Sequence, residues 1–172
     1  MKIFNLLPRL GLAVTLTALT ITVANADTID GTATATVVAP LSIAQDTVMD
    51  FGSIAGGAAI GTVVMDTSGG RTATGDAEII DLSPGTAGAF TITGESGQVF
   101  SVTFTDGTLT DTGGGNPMTV HTFTDTADGL LSAATESFTV GATLNVGVNQ
   151  VPDSYSTANS NGTMYTITVN YN

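Results

Sequence analysis

Short windows along the chain alternate apolar and polar residues with period two. Phe90 and Ile92 alternate with Thr91 and Thr93, and Phe100, Val102 and Phe104 alternate with Ser101, Thr103 and Thr105. Met118 and Val120 alternate with Thr119 and His121, and Phe138 and Val140 flank Thr139. Leu144, Val146 and Val148 alternate with Asn145, Gly147 and Asn149, and Tyr165, Ile167, Val169 and Tyr171 with Thr166, Thr168 and Asn170. Successive side chains of a strand point to opposite faces, so each window reads as a strand with one buried and one wet face. Turn residues separate the windows, among them Asp106-Gly107, Gly113–Pro117, Asp128-Gly129 and Asn161-Gly162. Ile60–Met65 and Ala77–Leu82 are less regular and are also read as strands. The pattern predicts about nine or ten strands, no helix and an all-β antiparallel sandwich or barrel. Gly56-Gly57 and Ser156–Asn161 read as mobile loops.

The segment Asp27–Val38 alternates too, but with small side chains. Ile29, Gly31, Ala33, Ala35 and Val37 share one face, and Thr28, Asp30, Thr32, Thr34 and Thr36 the other. So thin a strand has little bulk to hold itself down. Two readings stand: it pairs within its own sheet, or it fills a groove in a neighbouring subunit by β-strand addition.

Ahead of it, Met1–Arg9 carries Lys2 and Arg9, Leu10–Val23 is free of charge, and Ala24-Asn25-Ala26 follows. A basic start, a short apolar run and an A-x-A end predict a secretory signal peptide over residues 1–26. The run is about 14 residues, short of the roughly 20 that a membrane span needs. The prediction is export through the inner membrane to the periplasm, cell surface or extracellular space. One domain would then occupy 27–172, with no membrane span after signal cleavage.

Composition narrows the chemistry. Beyond residue 26, Arg71 is the one Lys or Arg against fifteen carboxylates, a formal charge of −14. Nothing is left to displace phosphate counterions, which excludes a basic nucleic-acid surface. With no cysteine in the chain, disulfides, thiolate metal sites and cysteine nucleophiles are excluded. A Ser-His-Asp triad would have to use His121, the single histidine, which falls on the polar face of a strand. Gly94-Glu95-Ser96-Gly97 lacks the spacing of a nucleophile elbow. The expectation is no enzyme activity and no catalytic residue. Arg71 is expected to pair with a carboxylate and fix a loop. No cofactor is expected; the one ion considered is calcium, with Asp106, Asp111, Asp125 and Asp128 as weak candidates that do not match the EF-hand spacing. Twenty-eight threonines beyond residue 26 include Thr-x-Thr pairs such as Thr103/Thr105 and Thr166/Thr168. They read as the wet side of ordinary strands rather than as a regular ice-binding ladder.

Ala33–Ile54, with its Pro40-Leu41-Ser42-Ile43 and Asp50-Phe51-Gly52, resembles the opening of a bacterial exported domain family of unknown function. That family is related to the Mat/Ecp-type fimbrial major subunits. Gly88–Gly94, Gly141–Val146 and the closing Tyr165–Tyr171 resemble its later strands. The resemblance covers about Ala33 to Asn172 and implies an Ig-like or pilin-like β-sandwich at the cell surface. Two departures stand out. Ser156–Asn161 looks inserted between Tyr155 and Gly162, and the glycine that chaperone–usher pilins place further upstream is absent. The second argues against their usual chaperone reading this tail.

The expected function is a structural subunit of a pilus-like filament or coat, with Ile29, Gly31, Ala33, Ala35 and Val37 as donor residues. Tyr165, Ile167, Val169 and Tyr171 would form the closing core strand. Expected partners are further copies or sister surface subunits, with a periplasmic chaperone during export. The alternative is a self-contained secreted adhesin or binding module, stabilised by calcium.

Overall fold

The computed structural model describes residues 26–172, so the expected export signal lies outside the described residues apart from Ala26. Two units are distinguished: an arm whose described part spans 26–36, and a domain spanning Val37–Asn172. The arm carries no strand or bridge, and its side chains are exposed.

The domain is all-β, with eleven strands and no helix. The strands are β1 (Ser42–Thr47), β2 (Ile54–Ala55), β3 (Gly61–Met65), β4 (Arg71–Gly75), β5 (Glu78–Ile79), β6 (Gly88–Thr93), β7 (Phe100–Thr105), β8 (Gly107–Leu109), β9 (Met118–Asp125), β10 (Thr135–Val146) and β11 (Thr166–Tyr171). Every pairing is antiparallel.

Seven strands form one sheet around β10. The first half of β10 pairs with β6, which carries β1; the second half pairs with β3, which carries β4; β9 pairs with Val140–Asn145 and carries β8. β11 and β7 make a separate two-stranded sheet, and β2 and β5 a short ribbon. The core lies on the inner face of the large sheet. Val63, Met65, Ile92, Val120, Phe138, Val140, Leu144 and Val146 are buried there, and Phe90 stacks on Phe138 at 5.7 Å. Opposite them, Val102, Phe104, Ile167, Val169 and Tyr171 of the small sheet pack against the core while staying half-buried. Two layers closed on one core are consistent with a β-sandwich.

The wet face is threonine-rich, as the alternation requires. Thr108, Thr119, Asn145, Thr62 and Thr74 stand in register across five strands, and the Thr62 and Thr74 hydroxyls are 2.6 Å apart. The next row, His121, Thr143, Val64 and Thr72, is interrupted, so the registry does not extend into a ladder.

Several segments depart from the pattern. Ala77–Leu82 contributes only the two-residue β5, and β4 forms where no alternation was apparent. Ser156–Asn161 is stapled rather than loose: Ser156 bridges Thr110, the Thr110 hydroxyl donates to Ser160 O at 2.7 Å, and Asn159 Nδ2 donates to Thr110 O at 2.8 Å. Thr110 is buried, and these bonds satisfy its polar atoms.

Candidate functional site

Arg71 opens β4 and reaches across to two loops. Its Nη1 donates to Phe51 O at 2.7 Å and Ser53 O at 3.5 Å, and its Nη2 to Ser83 O at 3.2 Å. The expected carboxylate partner is not what the guanidinium binds. The loops present three carbonyls within reach of its fork, and a carbonyl accepts as a carboxylate does. Asp50, Phe51 and Gly52 are held in the same knot. Asp50 and Thr86 exchange backbone hydrogen bonds, Gly52 N donates to Asp50 Oδ1 at 2.8 Å, and the Phe51 ring is buried. Gly52 has φ +66°, and a Cβ there would lie 2.6 Å from Arg71 Nη1. The turn and the close approach both demand glycine.

These loops form one rim of a large cleft of about 1540 Å³. Its floor is the inner face of the large sheet, with Phe90, Met118, Val120, Leu144 and Val146. Its walls are β1 and the residues after it on one side, and 150–158 with the start of β11 on the other. Gln45 Nε2 reaches the Tyr165 hydroxyl at 3.5 Å across it. Burial pushes the Tyr165 phenol above its ordinary value, offset in part by that bond. Val48, Leu82, Val151 and Met164 stand on the rim at 45–85% exposure. Apolar side chains gathered at a rim mark an interaction site more often than scattered ones do.

Both walls are sheet edges. Asn172 N donates to Val99 O at 3.0 Å, continuing the β11–β7 register. Hydrogen-bonded pairs alternate along an antiparallel ladder, so the backbone groups of Thr166, Thr168 and Asn170 face β7. Those of Ile167, Val169 and Tyr171 face the unpaired edge. Gly94 N donates to Ala134 O on the β10 side of β6, and the same alternation directs the backbone groups of Ile43 and Gln45 away from β6.

At the far end of β11 the strand is clasped to the start of β1. The Tyr171 hydroxyl donates to Ala39 O at 2.8 Å and accepts from Glu95 N at 2.6 Å, while Ala39 N donates to Glu95 Oε2 at 3.1 Å. The closing residues Tyr165, Ile167, Val169 and Tyr171 thus sit together on the inner side of β11 and its approach. The expected donor residues enter no ladder. Ile29, Gly31, Ala33 and Ala35 belong to the arm and Val37 begins the domain; none is in a strand, and Ile29 and Val37 are 96% and 93% exposed.

The candidate calcium ligands are used locally. Asp111 is buried and accepts from Gly115 N at 2.7 Å and Asn116 Nδ2 at 3.0 Å. Asp125 accepts from Ala127 N and Asp128 from Leu130 N, closing their own turns, and Asp106 is exposed beside β8. Among the described residues no three His, Cys, Asp or Glu side chains gather as a metal site. His121 is half-buried in β9, its Nδ1 2.6 Å from the Thr122 hydroxyl. Thr122 has φ +51° beside a register shift in the β9–β10 ladder, a strained conformation for a β-branched residue.

The cleft and the carbonyl partners by which Arg71 fixes its loops were not apparent in the sequence. The available signal was Val48, Val151 and Met164, large apolar residues standing outside the windows read as strands.

Residues 41–171 match the family described as a domain of unknown function, DUF4402, and the chain belongs to that family. Nothing in the match links the chain to the Mat/Ecp fimbrial subunits. No curated protein and no solved structure shows a significant match.

Proposed function

We propose that this DUF4402 protein is a non-enzymatic, exported structural subunit of a pilus-like surface filament or coat, joined to its neighbours by β-strand exchange through Asp27–Val38 and akin to the Mat/Ecp fimbrial major subunits. The observation that carries the reading is the state of that segment. It alternates as a strand does, yet no ladder includes any of its residues. Exposed strand-forming chain is a template for pairing with another molecule, and proteins generally cover or consume it. Exchange with a neighbour consumes it. The formal charge of −14 beyond residue 26 keeps unassembled subunits apart and soluble.

The test compares protein beginning at Asp27 with protein beginning at Ala39, by negative-stain microscopy, gel filtration and SDS gels without boiling. Filaments or SDS-resistant ladders are expected from the longer chain alone. The shorter chain is expected to give monomers that a Thr28–Val38 peptide stabilises against heat. A longer chain that stays a stable monomer at high concentration overturns the proposal.

A further inference from the structure

We infer that the cleft between β1 and β11 receives Asp27–Val38 of a second copy, which adds to the free edge of β11 as the third strand of the small sheet. The inference rests on the strand-exchange reading and names its receiving site.

The two sheets are unequal. β7 and β11 span about 10 Å at ordinary strand spacing. They face a sheet of seven strands. The cleft lies between the edge of the small sheet and the larger one, and Phe90, Leu144 and Val146, themselves nearly buried, line its floor. A strand added at β11 lies over that floor. It meets the outward backbone groups of Ile167 and Val169 with a ladder, and it covers the apolar rim.

The arm fits this position by length and by shape. Twelve extended residues reach about 40 Å, more than the roughly 17–20 Å of an ordinary strand, which leaves chain to span the gap between subunits. Its inward face would present Ile29, Gly31, Ala33, Ala35 and Val37. Glycine and alanine pass over a floor already filled by Phe90 and Leu144, and Ile29 and Val37 supply apolar bulk near the two ends. Its outward face would continue the threonines of β11 and β7. The edge strand β4 offers no such floor: it carries Thr72, Ala73 and Thr74 at its centre.

The chain has no cysteine, so single cysteines report proximity cleanly. Thr32→Cys, Thr34→Cys and Thr36→Cys sample the register on the arm. Each is mixed with a size-tagged copy carrying Thr168→Cys on β11, or Thr72→Cys on β4 as control, and oxidised mildly. All are exposed sites. Thr168 turns its own hydrogen bonds towards β7, so it would face a closely spaced, non-hydrogen-bonded partner on the added strand. A disulfide requires Cα atoms within about 7 Å, so the mixed band with Thr168→Cys is expected at about tenfold the yield with Thr72→Cys. Equal yields, or filaments that give no band with Thr168→Cys, overturn the cleft assignment and leave strand exchange standing. A doubly substituted chain carrying Thr34→Cys and Thr168→Cys that closes only within itself also overturns it. Failure of the unsubstituted chain to assemble overturns both.

Discussion

β10 and β11 look alike in sequence and end in different states. Each alternates apolar residues with threonine and asparagine. Along β10, Phe138, Val140, Ala142, Leu144 and Val146 are all at most 2% exposed. Along β11, Ile167, Val169 and Tyr171 remain half-buried. The difference lies in the neighbours. β10 is bordered by β6, β3 and β9, whose side chains cover its own, whereas β11 has β7 on one edge and open space on the other. Alternation encodes which face of a strand turns inward. How completely that face is covered depends on how many strands flank it, and strands far away in sequence decide that.

Truncations sharpen the contrast most. Leu144→Ala removes a side chain closely packed on both flanks and is expected to cost about 2–5 kcal/mol in urea unfolding. Ile167→Ala removes a side chain already in part exposed, and its cost in dilute monomer is expected to be about half of that, about 1–2.5 kcal/mol. The order inverts the comparison if Ile167→Ala proves the more damaging in monomer. In assembled material the two losses should converge, since an added strand would cover Ile167.

Next in size is Arg71. Each hydrogen bond from a charged donor contributes about 1.5–3 kcal/mol, and truncation leaves the carbonyls to find water. Arg71→Met keeps much of the stem and is expected to cost about 2–3 kcal/mol on that basis. Amide exchange should quicken at Gly52 and Ser53, on the cleft rim, and stay slow in β10. Exchange that quickens uniformly would mean that Arg71 supports the whole domain and not the rim.

The same contrast shows what was legible in the sequence. β6, β7, β9, β10 and β11 were readable because each has one apolar face, and the all-β class followed from them. β4 was not, because its inward positions are Arg71 and Ala73, which carry no apolar alternation. Arg71 was noticeable for being alone, but its partners are carbonyls placed by loops, and any residue carries a carbonyl. The arm alternates without entering a ladder, since alternation specifies a strand only where a partner edge exists. The cleft is an absence between strands distant in sequence, visible beforehand only through stray apolar residues such as Met164.

Tyr171 tests where β11 is secured. Tyr171→Phe keeps the ring and removes the hydroxyl that ties Ala39 O to Glu95 N. Two neutral hydrogen bonds at about 0.5–1.5 kcal/mol each give an expected loss of about 1–2 kcal/mol. The loss should appear as faster amide exchange at the end of β11 and at the start of β1. If both ends of β11 loosen equally, the strand behaves as one unit and the clasp is not what holds it.

The smallest effect tests the closed side of the comparison, at the start of β10. Glu136 Oε1 accepts from Asp128 N at 2.9 Å, while its Oε2 is buried without a partner. Burial, with the Asp128 and Asp125 charges nearby, raises its carboxyl above the ordinary 4.5. A raised acid is disfavoured in its charged form on folding, so the penalty is fully present above the folded value. It is relieved as pH falls through that value towards 4.5, where the unfolded chain also takes up the proton. Glu136→Gln keeps an oxygen for Asp128 N and gives the second position a donor that faces two carboxylates. It should therefore melt slightly higher than the parent at pH 7, and the gap should close below pH 4.5. The group is close enough to solvent for screening to keep the gain small. A gain that persists unchanged in acid would trace to side-chain packing and not to charge, and β10 would then be secured by coverage alone, even at its more exposed end.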